Sequence, residues 1–280
     1  PAAERESLAP GGTLNVYVLI VFRDCSCLPL AMPPVPICPA SSLGDLDQIV
    51  AGCSTRHGGE SDPPFDTLNL GDHVGDDPDA VAENRRRFCA ALGMDADALV
   101  TAEQVHGTTV RHVEEPHKAS ACDGLVTATP GLLLAIAVAD CAPVLLADPD
   151  AGVVGACHAG WRGAVGGVVP ATVAAMEALG ADPHHMYAHV GPCLSRATFE
   201  VGPEVAARFD EAFVHHDPAW NRPHVDLKAA LRNQLLTAGL PDAFVSVSPH
   251  GTQADPETFF SYRAADGVTG RLFGAIGRVP

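Results

Sequence analysis

Basic charge is scarce in this 280-residue chain: 17 Lys and Arg stand against 34 Asp and Glu, a formal charge of −17. A field of that sign repels phosphate backbones and anionic lipid. It excludes general nucleic-acid and membrane-surface binding, and leaves an anionic small substrate dependent on a local basic pocket. Aromatic residues make up only 5%, too few for stacking platforms along a single strand. No C-x-x-C pair occurs among the nine cysteines scattered from Cys25 to Cys193. That usage reads as reduced thiols in a cytoplasmic protein, several of them core fillers, rather than as a disulfide framework. There is no G-x-x-x-x-G-K-[ST] run, which excludes a triphosphate P-loop. The apolar stretch LNVYVLIVF at 14–22 is far shorter than the roughly 20 residues of a membrane span. Its acidic lead-in and the RDCSC that follows make a poor secretory signal.

What is present describes a globular α/β protein. Nearly half the residues are apolar, enough for a sizeable core. Residues 1–45, with the proline-rich LPLAMPPVPICPASS and a start at Pro1 that reads as trimmed, are assigned to an extension expected to be disordered. From 46 to 280 helical and strand signals mix without a linker or a repeat, which predicts a single layered domain with helices flanking the sheets. Helices are expected at 77–93, 168–180, 203–213 and 225–240, three of them ending at Gly93, Gly180 or Gly239, with Asp226 as an N-cap. Strands are expected at 131–138, 143–148, 152–157, 186–190 and 243–248. Continuous apolar runs such as 132–138 imply strands covered on both faces.

Chemistry gathers where these strands run out. VVGACHAGWRG (153–163) puts His158 at a strand end before a glycine turn. AVADCAPVLLADP (137–149) puts Asp140 and Cys141 between two apolar runs, and TAEQVHGTTV (101–110) puts His106 just before Gly107. Two imidazoles and a thiolate make a zinc set, and three protein ligands leave a fourth position open, as catalytic zinc requires. A thiolate disfavours magnesium or calcium. The ligands lie far apart in sequence, so spacing alone leaves open a satisfied histidine in each loop and a buried thiol. Asp140, beside Cys141, is placed either as a proton shuttle or as the group that orients a ligand histidine. The run Gly160, Gly163, Gly166, Gly167 offers backbone amides, and Arg162 a fork, to an anion; a tight turn without a ligand is the plain alternative. The 25-residue segment 54–78 is polar and glycine-rich, and Arg56, Asn69 and His73 are its candidates for sugar or phosphate.

Seven blocks occur in one order: TRHGGES with LNLGDHVGDD, QVHG, ADCAPVLL, HAGWRG, GPC with FEVG, FFSYR, and TGR. Together, over about residues 48–278, they resemble the laccase-domain family, long labelled multicopper polyphenol oxidase and now described as purine nucleoside phosphorylase. The resemblance implies one domain of mixed sheets between helices, with zinc on His106, Cys141 and His158. It implies cleavage of adenosine, inosine and methylthioadenosine by inorganic phosphate, and deamination of adenosine; a monomer or homodimer is expected. Arg56 matches the block that would hold phosphate or ribose; Asn69 and Gln104 fall in blocks that would contact ribose or base. The chain departs from the family at the C-terminal side: SPHGTQADPET, with His250, stands where a cysteine is usual, and AADGV lacks a second arginine. Two other chemistries stay open. Copper in place of zinc would suit a polyphenol oxidase, although the 13 histidines include no His-x-His pair. Cys141 with His158 as its base would suit a cysteine hydrolase of the kind linked to peptidoglycan editing. A zinc ion that merely staples a binding module would need a fourth ligand.

Overall fold

A strand with no polar face must be covered on both sides, and that requirement organises the molecule. The computed structural model describes residues 35–280; the run 14–22 and most of the extension lie outside the described residues. In chain order the elements are β1 (Ile37–Pro39), β2 (Ile49–Ser54), α1 (Pro78–Ala91), β3 (Leu99–Ala102), β4 (Val110–His112), β5 (Lys118–Ala119), β6 (Gly124–Thr127) and β7 (Leu133–Val138). They continue with β8 (Ala142–Asp148), β9 (Val153–Ala159), α2 (Trp161–Gly166), α3 (Val168–Glu177), β10 (Tyr187–Val190) and α4 (Pro203–Ala206). The last are β11 (Val214–His215), β12 (His224–Val225), α5 (Leu227–Thr237), β13 (Val245–Val247) and β14 (Leu272–Arg278). No helix among them is long and apolar enough to cross a membrane.

Two six-stranded mixed sheets form, in the orders β1-β2-β14-β7-β3-β5 and β13-β10-β8-β9-β6-β4. The alternation of side chains along each strand then assigns the layers. Leu134 and Ile136 of β7 meet Leu145, Ala147, Val154 and Ala156 of the second sheet in one apolar layer between the sheets. Leu133 and Ala135 point the other way, onto Phe88 and Cys89 of α1. On the far side of the second sheet, Val144, Leu146 and Cys157 pack on Val169, Val173 and Met176 of α3 and on Leu231 and Leu235 of α5. The result is helix, sheet, sheet, helix, and the predicted α/β class with layered mixed sheets is what the structure shows. Each fully buried Leu or Ile in these layers contributes about 1.5–3 kcal/mol of burial. The sheets approach closely at one point. A Cβ on Gly274 would stand 2.4 Å from Cβ of Pro143, so only glycine fits there.

The helix signals read from sequence have physical causes. Asp77 caps α1 by accepting from Asp79 N, and Asp226 caps α5 by accepting from Ala229 N. Gly93, Gly180 and Gly239 follow the helices with φ of +73°, +98° and +103°, the left-handed stop that glycine provides. Three expectations differ from what is seen. The helix foreseen at 203–213 is one turn, α4, because Asp210 starts a new 3₁₀ turn at Glu211–Phe213 by accepting from Ala212 N. The glycine turn foreseen after His158 contains a short helix, α2, whose end and the start of α3 share Gly167 at φ +88°. Residues 35–45, placed in the extension, contribute β1, paired with β2, and the buried Ala40 and Leu43.

Candidate active site

The layer between the sheets closes on apolar side chains along most of its length, and it ends at His158. Even-numbered residues of β9 face that layer, so His158 follows Val154 and Ala156 onto the same side. It is 3% exposed. In the β8–β9 pair it stands opposite Pro143, which brings Cys141, one residue before β8, alongside. His106 comes from the loop between β3 and β4 at φ +60°, and Asp140 sits at φ +87°. These are left-handed conformations uncommon for residues with side chains. Ligand atoms of His106, Cys141 and His158 all lie within 4.8 Å of one another. The two imidazoles meet edge to face with centroids 4.8 Å apart. Sequence separation of 35 and 17 residues is thus overcome by the fold.

One carboxylate, absent from the candidates drawn from sequence, fixes this arrangement. Asp123, wholly buried at the start of β6, accepts from Nδ1 of His158 at 2.9 Å. Its backbone carbonyl accepts the His158 N–H at 2.7 Å. The same side chain accepts the backbone N–H groups of Val105, His106 and Gly107 at 3.2, 2.9 and 2.6 Å. Burial works against its charge, but these donors hold its carboxyl below the usual carboxylate range. The bond to Nδ1 leaves Nε2 of His158 free to ligate.

Burial also disfavours the Cys141 thiolate, yet hydrogen bonds and charge from His106 and His158 outweigh it and bring the thiol down to about 6. His158 is correspondingly driven upward, burial being overcome by Asp123 and Cys141. The donor set therefore suits a soft or borderline transition metal. The space is also kept clear for one, since a Cβ on Gly160 would stand 2.8 Å from Sγ of Cys141. Among the described residues this is the one group of three His, Cys, Asp or Glu side chains so disposed.

A cavity of about 730 Å³ opens at this set, a volume suited to a small ligand. Phe199, Trp161 and Tyr262 give it apolar walls, and Lys118, Arg263 and Arg271 give it positive charge. Asp140 is on its wall but orients neither histidine. It accepts from Thr252 Oγ1 and Ser261 Oγ at 2.7 Å and from the backbone N–H of Arg263 at 2.7 Å. Orientation of the ligand belongs to Asp123 instead.

The family described as multi-copper polyphenol oxidoreductase laccase matches residues 50–279. The chain belongs to that family. It is 45% identical over 253 residues to the purine nucleoside phosphorylase of Deinococcus radiodurans, covering 89% of this chain and 95% of that one. It is 46% identical over 223 residues to the purine nucleoside phosphorylase Rv2149c of Mycobacterium tuberculosis, with 78% and 88% covered. Among solved structures, YlmD of Geobacillus stearothermophilus superposes with a TM-score of 0.78 at 36% identity, covering 84% of this chain and 93% of that chain. The Bacillus licheniformis protein YfiH gives 0.79 at 31% identity, with 84% and 94% covered.

Within this family member the other candidates divide. Gln104 lines the cavity, but both ends of its amide are taken by the backbone of Ala137, each at 2.8 Å. It extends the β3–β7 pairing and steadies the His106 loop. His73 reaches the cavity wall, while Asn69 is fully buried behind it. Arg56 does not line the cavity: Nε and Nη1 donate to the carbonyls of Asp66 and Pro256, and the guanidinium lies over the Phe260 ring. Arg162 is exposed and stacks on Trp161, Cζ 4.4 Å from the ring centroid. Arg263 in FFSYR and Arg271 in TGR also line the cavity, with no role foreseen for either. An arginine placed beside an aromatic or a glycine was the only signal available.

Proposed function

We propose that the protein is a zinc-dependent purine nucleoside phosphorylase, acting on adenosine, inosine and methylthioadenosine in a reducing cytoplasm, and that it also deaminates adenosine. The observation that carries this reading is the convergence of His106, Cys141 and His158 at the floor of a cavity with apolar and cationic walls. The names of the curated relatives support the substrate class. Nε2 of His158, Sγ of Cys141 and His106 would hold the zinc, which when bound would supply Lewis-acid chemistry.

The rest of the work falls to the chain. Phe199, Trp161 and Tyr262 offer faces for a purine. In phosphorolysis an oxygen of HPO₄²⁻ forms a bond to C1′ of the ribose as the bond from C1′ to the purine nitrogen breaks. The purine leaves with the electron pair and takes up a proton, balanced by the proton the phosphate gives up. Positive charge develops on the sugar, so a fixed anion nearby lowers the barrier. Closing the reactants into one cavity converts a three-body encounter into an oriented one.

Cys141 and His158, whose donor atoms lie within 4.8 Å, also have the form of a cysteine nucleophile and its base, and metal content separates the two readings. Protein purified without added metal should carry one zinc per chain, and phosphate should be required for ribose-1-phosphate release. Cys141→Ala and His158→Ala should each lower that release at least about 100-fold. Undiminished release in either variant would reject the proposal, as would metal-free protein with full hydrolytic activity.

A further inference from the structure

A chain of formal charge −17 repels a dianion at long range, so a phosphate co-substrate needs a local cation without a counter-ion. Three cations line the cavity. Lys118 is ion-paired, its Nζ lying 3.0 and 2.9 Å from the two carboxylate oxygens of Asp72, a carboxylate that Arg85 shares at 3.5 Å. Arg263 and Arg271 are different. Among the described residues neither has a carboxylate within ion-pair distance, although seven ion pairs involving other arginines are present.

Backbone carbonyls hold both guanidinium groups instead. Nη1 of Arg271 donates to Thr269 and Gly270 at 2.8 and 3.1 Å, and Nη1 of Arg263 to Glu200 and Thr198 at 2.8 and 3.3 Å. Carbonyls fix the plane of the group and leave its charge in place. For Arg271, Nε and Nη2 donate to no other described residue. Its backbone is pinned as well: Oδ1 of Asn69 accepts the Arg271 N–H at 2.8 Å and the Gly71 N–H at 3.0 Å. Gly71 is bare where Arg271 crosses it, since a Cβ there would stand 2.7 Å from Cγ of Arg271. A half-buried, pre-set and uncompensated guanidinium is costly until an anion arrives. Burial indeed works against its charge, with Tyr262, Cys141 and Asp140 opposing.

We propose that Arg271, positioned by Asn69 and Gly71 and assisted by Arg263, is the phosphate anchor of the cavity. A planar fork whose Nε and Nη2 are both unused matches two oxygens of HPO₄²⁻, and a neutral nucleoside makes no use of the charge. The inference rests on the phosphorolysis reading for its substrate, and Asn69 on this view acts on phosphate only through Arg271.

The test is Arg271→Gln in the zinc-loaded full chain, with phosphate and inosine each varied at saturation of the other. The KM for phosphate should rise at least about tenfold, that for inosine should stay within about twofold, and zinc content should hold. Arg271→Lys should recover part of the loss. Arg263→Gln, eight residues earlier in the same β13–β14 connection, should raise the phosphate KM about threefold to tenfold and serves if Arg271→Gln fails to fold. An unchanged phosphate KM, or equal rises for both substrates, would overturn the proposal. Calorimetric titration with inorganic phosphate separates it from the reading beneath it. Phosphate bound by the parent and lost in Arg271→Gln, without any nucleoside turnover, would uphold the anchor and reject phosphorolysis. Turnover in the parent with undiminished phosphate binding in the variant would do the reverse.

Discussion

Two buried aspartates flank the cavity and do the same kind of work for opposite walls. Asp123 gathers three amides of the His106 loop and the ring of His158, so one carboxylate sets two of the three candidate donor residues. Asp140 gathers Thr252, Ser261 and the amide of Arg263, so it sets the segment carrying a cation. Neither has an arginine or lysine partner; Asp140 is held by hydroxyl and amide donors, and Asp123 by amides and the His158 ring. A charge kept this way costs desolvation and returns geometry. The difference is what each holds: Asp123 braces the wall of His106 and His158, and Asp140 the wall that carries Arg263.

Breaking the pair one at a time should separate the two walls. Asp123→Asn should lower zinc affinity about 10–100-fold, measured by competition with a chelator, because the remaining amide cannot reproduce the charge that orients His158. Turnover should fall in step and recover with excess zinc. Asp140→Asn should leave zinc affinity within about twofold and raise the phosphate KM several-fold, to about tenfold, by loosening Arg263. Equal zinc loss in both variants would erase the distinction.

A third test sharpens the contrast with a buried base that has no carboxylate at all. His189 bonds Ser246 through Nδ1 at 2.7 Å, its Nε2 has no partner, and burial, with the Lys228 charge, brings its pKa down to about 4. The unfolded chain then takes the proton first, so stability is full above the ordinary value of 6.5 and falls as pH drops toward 4. Urea midpoints should show a loss of about 1–2 kcal/mol between pH 6.5 and pH 5, and His189→Gln should flatten it. A parent curve already flat over that window would contradict the burial argument.

Much of the fold could be read from sequence because two-sided burial leaves long apolar runs, as in β7, β8 and β9, and because Asp77 and Asp226 mark helix starts. Short edge elements such as β4, β5, β11 and β12, two or three residues each, carry no such pattern. The ligand residues were visible as chemical types at strand ends, but their meeting depends on the register that sets Pro143 against His158. Asp123 was hidden because an aspartate before a glycine reads as a turn. Arginines mislead for a related reason: a long side chain reaches in any direction, and nothing near Arg56 in the chain announces that it folds back onto Asp66 and Pro256. Arg271 is announced no better, since Asn69, which pins it, lies 202 positions away.

Gly160 carries a last consequence. A methyl group there would press on sulfur at 2.8 Å and on the His106 ring carbon at 3.5 Å. The space among the three donor atoms is thus outlined by an atom the chain leaves out. Gly160→Ala would act as a built-in inhibitor, a plug one carbon wide, in a protein whose layers and helices would otherwise be intact.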